Sequence, residues 1–431
     1  MNYFRQIYYE MKHQRMMTWV SISGTALAIF LVMAFIMADQ IHTVEVAPES
    51  NRGRVLQATG VHLQDKSGNR DSSQWGFSYK FAQKIYEGLD GVEIVGYNNA
   101  WEDNCDVNVK GEEILTMMPK STDSKYWKIY DFTFIDGRPY DEAEVAADAK
   151  LVVLSRSAAR ALFGEEKVSG REIEVDAYPY TVVGVVEDVN PLLPSTYANF
   201  YKVFNPVTSG RSQEDFFGDV VVNLLIKPGV DPAYIKSQVE ARYKQAATLA
   251  QKDGMDLIYH GQPYTSEEVG SGHYGSNNGP DLESSRRMDY IIYAILILLP
   301  AINLSSMTRG RLRHRISEIG VRRAFGAKRS SIIAQLFGEN LIITLIGGLL
   351  GLIISIFFML FVFHLFFNFS GIFGASSLDV ANARPEFDML FTWKNFLWAV
   401  VLCFILNTLS ATLPAWRAPK VEPAEALSAA R

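Results

Sequence analysis

R-G-R-L-R-H-R-I-S-E-I-G-V-R-R-A-F-G-A-K-R-S-S-I-I-A-Q-L-F-G-E, from Arg309 to Glu339, stands between two long apolar runs, Tyr290–Met307 and Asn340–Phe369. A strongly basic segment between two membrane-length runs belongs on the cytoplasmic side. Charge alone says no more than that, because lysines and arginines can fix orientation without any further role. This segment also carries apolar residues at helical intervals. Ile316, Ile319 and Ala324 lie near helical spacing, with Val321 and Phe325 four residues apart, which predicts a short amphipathic helix. Gly326 can stop it, and Ser330 or Ser331 can cap the next helix. A loop that only sets orientation does not need an apolar face, so a protein-docking helix is expected here.

A bilayer-spanning helix needs about 20 mostly apolar residues. Besides the two flanking runs, Met16–Ala38 and Asn395–Trp416 qualify. The run at Asn340–Phe369 is longer than one crossing needs, so it should tilt or extend beyond the bilayer. Arg5, Lys12 and Arg15 precede the first run, while Asp39 and Glu45 follow it, which places the N-terminus inside. Four crossings then leave Arg309–Arg329 inside, together with Arg417, Lys420 and Arg431. The expected fold is an α-helical membrane domain with four transmembrane helices, plus a large α/β extracytoplasmic domain inserted between helices 1 and 2. In residue numbers, the plan is an interfacial helix at 1–15, spans at 16–38, 288–308, 339–369 and 395–416, and an outer domain at 39–287. The coupling segment is 309–338, the outer loop 370–394 and the cytoplasmic tail 417–431. A cleaved signal peptide is the competing use of the first run. Its apolar part exceeds the roughly 7–15 residues of such signals, and no small-x-small site follows, so a retained anchor is expected.

The formal net charge of −6 hides an asymmetry between basic inner segments and an acidic outer one. Cys105 falls in the outer segment and Cys403 in the fourth span, so no intrachain disulfide is expected. Phe4, Ile7, Tyr8 and Met11 share a helical face, which suits a helix lying in the membrane interface and equally a frayed extension of the first span. Ser21, Ser23, Gly24, Thr25, Ala26 and Ala28 would let the second span, or a second copy of the chain, come close to the first. Gly347 and Gly351, with Gly348 between them, form a G-x-x-x-G helix-contact surface. Pro300 predicts a kink in the second span, either static or a hinge.

In the outer segment, strands are expected at Glu93–Tyr97, Val107–Val109, Leu151–Leu154, Glu172–Val175, Tyr180–Val186 and Val220–Ile226. Helices are expected at Tyr79–Leu89, Ser155–Phe163 and Asp231–Lys252, and a stalk helix from near Asp281. Gly53–Gly76 and Thr265–Pro280 read as loops, being rich in turn formers.

E-I-G-V-R-R-A-F-G-A-K-R at Glu318–Arg329 resembles the coupling segment of the MacB/FtsX-like ABC permeases. F-I-D-G-R-P-Y at Phe134–Tyr140, L-S-R-S-A-A-R-A-L-F-G at Leu154–Gly164 and Y-T-V-V-G-V-V-E-D at Tyr180–Asp188 resemble that family's periplasmic core domain. P-A-W-R-A-P-K-V-E-P-A-E-A-L at Pro414–Leu427 resembles its C-terminal ending. The resemblance implies a permease subunit in the bacterial inner membrane, as a homodimer or a heterodimer with a related permease. It implies a separate ATPase subunit docked on Glu318, Ile319, Gly320, Val321, Arg322, Arg323, Ala324, Phe325, Gly326 and Ala327, and leaves room for a periplasmic adaptor. It also implies an inserted lobe at Gly111–Val189.

Catalytic patterns are absent from the sequence. No G-x-x-x-x-G-K-[ST] occurs, so the chain has no P-loop to cradle ATP phosphates. There is no H-E-x-x-H and no G-x-S-x-G, and the seven histidines are scattered. No basic stripe with interleaved aromatics marks nucleic-acid binding. No metal or cofactor is expected. The substrate is not legible. Regulation of a cell-wall hydrolase by the same mechanism, or ligand sensing by a membrane-anchored outer domain, remain the alternatives to export.

Overall fold

The computed structural model describes residues 15–41, 43–65, 71–271, 279–295, 298, 326, 329–361, 387–402 and 404–405. The first apolar run forms helix α1 (Arg15–Gln40). Beyond it the chain enters a separate compact unit, which takes in Ile41–Ser285 and, later in the chain, Met389.

That unit is built on a mixed sheet. Its strands are β1 (Val55–Ala58), β4 (Val92–Asn99), β5 (Cys105–Asn108), β6 (Leu115–Met117), β7 (Pro119–Thr122), β8 (Phe134–Gly137), β9 (Leu151–Ser155), β10 (Glu172–Val175), β11 (Tyr178–Val186), β12 (Phe200–Val203) and β13 (Val220–Ile226). The order is β1-β13-β4-β7-β12-β9-β11-β10-β5-β6, with β8 added beside β11. A smaller sheet pairs β14 (Met255–Ile258), β2 (Gly60–Asp65) and β3 (Asp71–Trp75) in the order β14-β2-β3. The expected loop over Gly53–Gly76 is thus three strands. The expected loop over Thr265–Pro280 contains a short helix, Ser266–Gly270, closed by a capping box between Thr265 and Glu268.

The large sheet is two half-sheets. Strands β4 and β7 meet at one register pair, Asn98↔Thr122. On one side, helices α2 (Tyr79–Tyr86) and α4 (Pro232–Ala250) cover β13 and β4 with Phe81, Tyr86, Ile235, Val239 and Tyr243. On the other, helix α3 (Arg156–Phe163) packs Ala158 and Ala159 on Val152, Leu154 and Val182. Alanines let the helix approach the sheet closely, and Ser155 caps it by accepting from the Ala158 amide at 3.2 Å. This half-sheet, the lobe side of the domain, takes in β5 and β12, which lie outside Gly111–Val189. An aromatic cluster of Tyr126, Tyr130 and Tyr201 packs with Val55 and Leu225, so side chains reinforce the narrow backbone joint. The loop tip matters as much as the strands: Gly137 has φ +66, and a Cβ there would meet the Val183 carbonyl oxygen at 2.1 Å. Glycine is required by conformation and by space.

The second compact unit holds α1 and the apolar helices after Arg286. Residues 282–295 form helix α5, whose first turn is capped by Asp281 accepting from the Ser284 amide at 2.9 Å. Helix α6 spans Arg329–Phe361, and residues 393–402 form helix α7. Among the described residues, Thr18–Ala38 and Leu341–Phe361 are long and apolar enough to cross a membrane. The expected second and fourth spans lie partly outside the described residues, and Pro300 and Cys403 lie outside them.

Candidate coupling site

Among the described residues of the unit that holds α1, glycines decide where the helices pack closely. On α6, Gly347 and Gly351 lie against α1. A Cβ on Gly347 would meet Thr25 Cβ at 2.8 Å, and one on Gly351 would meet the Ala26 carbonyl oxygen at 2.6 Å. Gly348 faces Ile29 of α1 and Val400 of α7. Only residues without side-chain bulk allow two helix backbones this close. The small residues of α1 supply the other half of the contact: Thr25, Ala26 and Ala28 are buried, whereas Ser23 faces outward. Their described partner is therefore α6 rather than the second span alone. Helix α5 also reaches α1, through Phe35 and Tyr293, edge to face at 4.8 Å between ring centroids. At the far end of α1, Gln40 donates to Thr392 Oγ1 at 2.7 Å and accepts from Asn395 Nδ2 at 2.9 Å.

The opposite face of α6 presents Leu341, Leu345, Leu349, Ile353 and Phe357 outward. Exposed apolar residues every fourth position form a stripe that water would penalise and a bilayer would accept. Trp393 and Trp398 of α7 are exposed as well.

Of the predicted docking residues, Glu318–Phe325 and Ala327 lie outside the described residues. Gly326 is described: it is exposed, in a turn, with φ +88. The helix that follows already includes Arg329, so Ser330 and Ser331 lie within its first turn instead of capping it. With 33 residues, α6 measures about 50 Å against a hydrocarbon core of about 30 Å. The last residues of the basic segment and the glycine surface therefore belong to one rod.

In the outer unit, buried ionisable groups serve as structural staples. Asp123 accepts from the Tyr97 amide at 3.0 Å and the Tyr126 amide at 2.9 Å. Burial nevertheless pushes its carboxyl up to about 7. Lys120 donates to the Ser195 carbonyl at 3.0 Å, and burial draws its ammonium down to about 8, opposed by Glu102 and Glu49. Burial raises Glu102 too, although the Ser121 amide donates to it at 2.6 Å. The Cys105 thiol is buried and pushed up to about 12. Sequence reasoning missed these staples, because single charged residues in strand-forming stretches carry no periodic signal. Among the described residues, no cluster of three or more His, Cys, Asp or Glu side chains could hold a metal ion.

Two families match the chain along most of its length. The MacB-like periplasmic core domain matches residues 18–242, and the FtsX-like permease C-terminal domain matches residues 290–423. The chain belongs to the MacB/FtsX-like ABC permease family. Its outer unit is the α/β domain of this membrane-permease family, with apolar helices at both ends. Among relatives, the uncharacterized ABC transporter permease YknZ of Bacillus subtilis is 24% identical over 348 residues, covering 80% of this chain and 79% of its own. The macrolide export ATP-binding/permease protein MacB of Salmonella paratyphi A is 22% identical over 446 residues. That match covers 99% of this chain, which spans 62% of the Salmonella protein. The crystal structure of the periplasmic region of MacB from Actinobacillus actinomycetemcomitans aligns with a TM-score of 0.34 at 16% identity, covering 51% of this chain and 93% of that one.

Proposed function

We propose that this MacB/FtsX-like protein is a permease subunit that converts ATP hydrolysis by a separate ATPase subunit into movement of its periplasmic domain. The observation that carries this is the continuity of α6. One helix runs from the end of the basic segment to the glycine surface packed on α1, and α1 continues by chain into the outer domain. A displacement at the start of α6 is carried along a rod and passed to α1 across backbone-to-backbone contacts too close to yield. Closure of an ATPase pair on the docking residues Glu318–Ala327 would draw two copies of the segment together, in a homodimer or with a related permease. In this scheme the chain crosses the inner membrane four times, at 16–38, 288–308, 339–369 and 395–416. Assignment of the ATPase to a partner is supported by YknZ, a relative named as an ABC transporter permease and matched over 79% of its own length. Extrusion of peptides, antibiotics or lipoprotein-like molecules from the outer side is the output that fits the macrolide-export name of the relatives.

The test is co-purification of the ATPase with chains carrying Gly320→Pro or Phe325→Asp. The helix-breaking proline and the charge on the apolar face are each expected to reduce ATPase recovery at least tenfold, while the chain still reaches the membrane. Unchanged recovery and unchanged ATP turnover would remove the docking site.

A further inference from the structure

The chain enters the outer domain directly after α1, and what holds it there is ionic and buried. Arg52 is 6% exposed and Glu49 2%. Arg52 Nη1 donates to the Ile41 carbonyl at 2.8 Å, one residue beyond the end of α1. Its Nε meets Glu49 Oε2 at 3.0 Å. Glu49 Oε1 in turn accepts from Thr196 Oγ1 at 2.9 Å. Thr196 belongs to a loop that the lobe grips at several points. Its carbonyl accepts from Tyr201 of β12 at 2.7 Å, and the Ser195 carbonyl accepts from Tyr126 at 2.8 Å and from Lys120 of β7 at 3.0 Å. The return path of the chain meets the same residue: Ser266, in the short helix before α5, donates to the Arg52 carbonyl at 3.2 Å.

We propose that Arg52 and Glu49 are the joint through which movement of the α1 end reaches the lobe, with Thr196 as its receiving residue. Stability alone does not call for this pair, since a well-packed apolar replacement of a buried ion pair is often neutral or stabilising. Apolar contacts slide; a guanidinium holding a carbonyl and a carboxylate at hydrogen-bond distance does not, because each bond is directional and both side chains are buried. Moving Ile41 by an ångström must either break the Arg52 bond or carry Arg52, Glu49 and the Thr196 loop along. Arg52 and Glu49 are thus positioning residues, and their role presupposes the mechanical function proposed above.

The experiment uses the full chain with its co-purified ATPase in lipid nanodiscs. Spin labels are placed at Lys167→Cys in the lobe and Leu27→Cys in α1, with both native cysteines replaced (Cys105→Ala and Cys403→Ala) as background. Distances are compared without nucleotide and after trapping with ATP and vanadate. The background is expected to show a shift on trapping. The Arg52→Met/Glu49→Met double variant and the isosteric Thr196→Val variant are expected to lose at least half of it, with ATP turnover within about twofold of the background. Thr196→Val decides the matter if the double variant does not fold. Variants that keep the full shift would overturn the joint and leave the functional reading standing. A background with no shift would overturn both.

Discussion

Asp123 sits where the two half-sheets meet, next to Thr122 and bonded to the β4 backbone through Tyr97. Its carboxyl, ordinarily near 3.8, is raised by burial to about 7. A raised folded-state value means the folded protein keeps a proton that the unfolded chain has already lost. The associated stabilisation is complete below about pH 4 and disappears as the pH rises through about 7. Asp123→Asn removes that titration. The midpoint of thermal unfolding of the variant, relative to the parent, should therefore rise steadily from pH 4 to pH 7.5; parallel curves would contradict the assignment. Nothing in P-K-S-T-D at Pro119–Asp123 announces this burial, because it is set by what packs on β7 from β4 and the aromatic cluster. Gly137 is the opposite case. Its turn role was legible from F-I-D-G-R-P, since a glycine ahead of Arg-Pro marks a chain reversal, although the close approach to Val183 was not.

At the scale of elements, the apolar helices at Thr18–Ala38 and Leu341–Phe361 were the most legible feature, since length and composition alone mark them. Half-buried strands were less so. In β2, Val61 and Leu63 are buried but flanked by glycine, histidine and glutamine, and β3 is D-S-S-Q-W, so turn-forming composition masked two strands. The pair Gly347 and Gly351 was legible as a contact surface, but its partner was not, because sequence spacing gives a face and not a neighbour. The α1–α6 contact makes a direct prediction. Gly351→Leu places a side chain against the Ala26 carbonyl, which is backbone and cannot swing aside. Overpacking of this kind destabilises by about 1–3 kcal/mol, to be read as a lowered unfolding midpoint of the chain in detergent. Leu349→Ala, on the outward face of the same helix, should leave that midpoint within a degree or two.

For the whole molecule, family membership establishes a permease with a periplasmic domain, while the direction of every connection rests on charge. The basic segment must lie on the ATPase side and the α/β domain on the other, or α6 and α1 have nothing to transmit between. Single cysteines at Arg322→Cys and at the exposed Tyr178→Cys, in a background with both native cysteines replaced (Cys105→Ala and Cys403→Ala), place both ends in one measurement. In intact cells with a permeabilised outer envelope, a membrane-impermeant maleimide should label Tyr178→Cys at once, and Arg322→Cys only after the inner membrane is opened. Labelling of both from the same side would contradict the account.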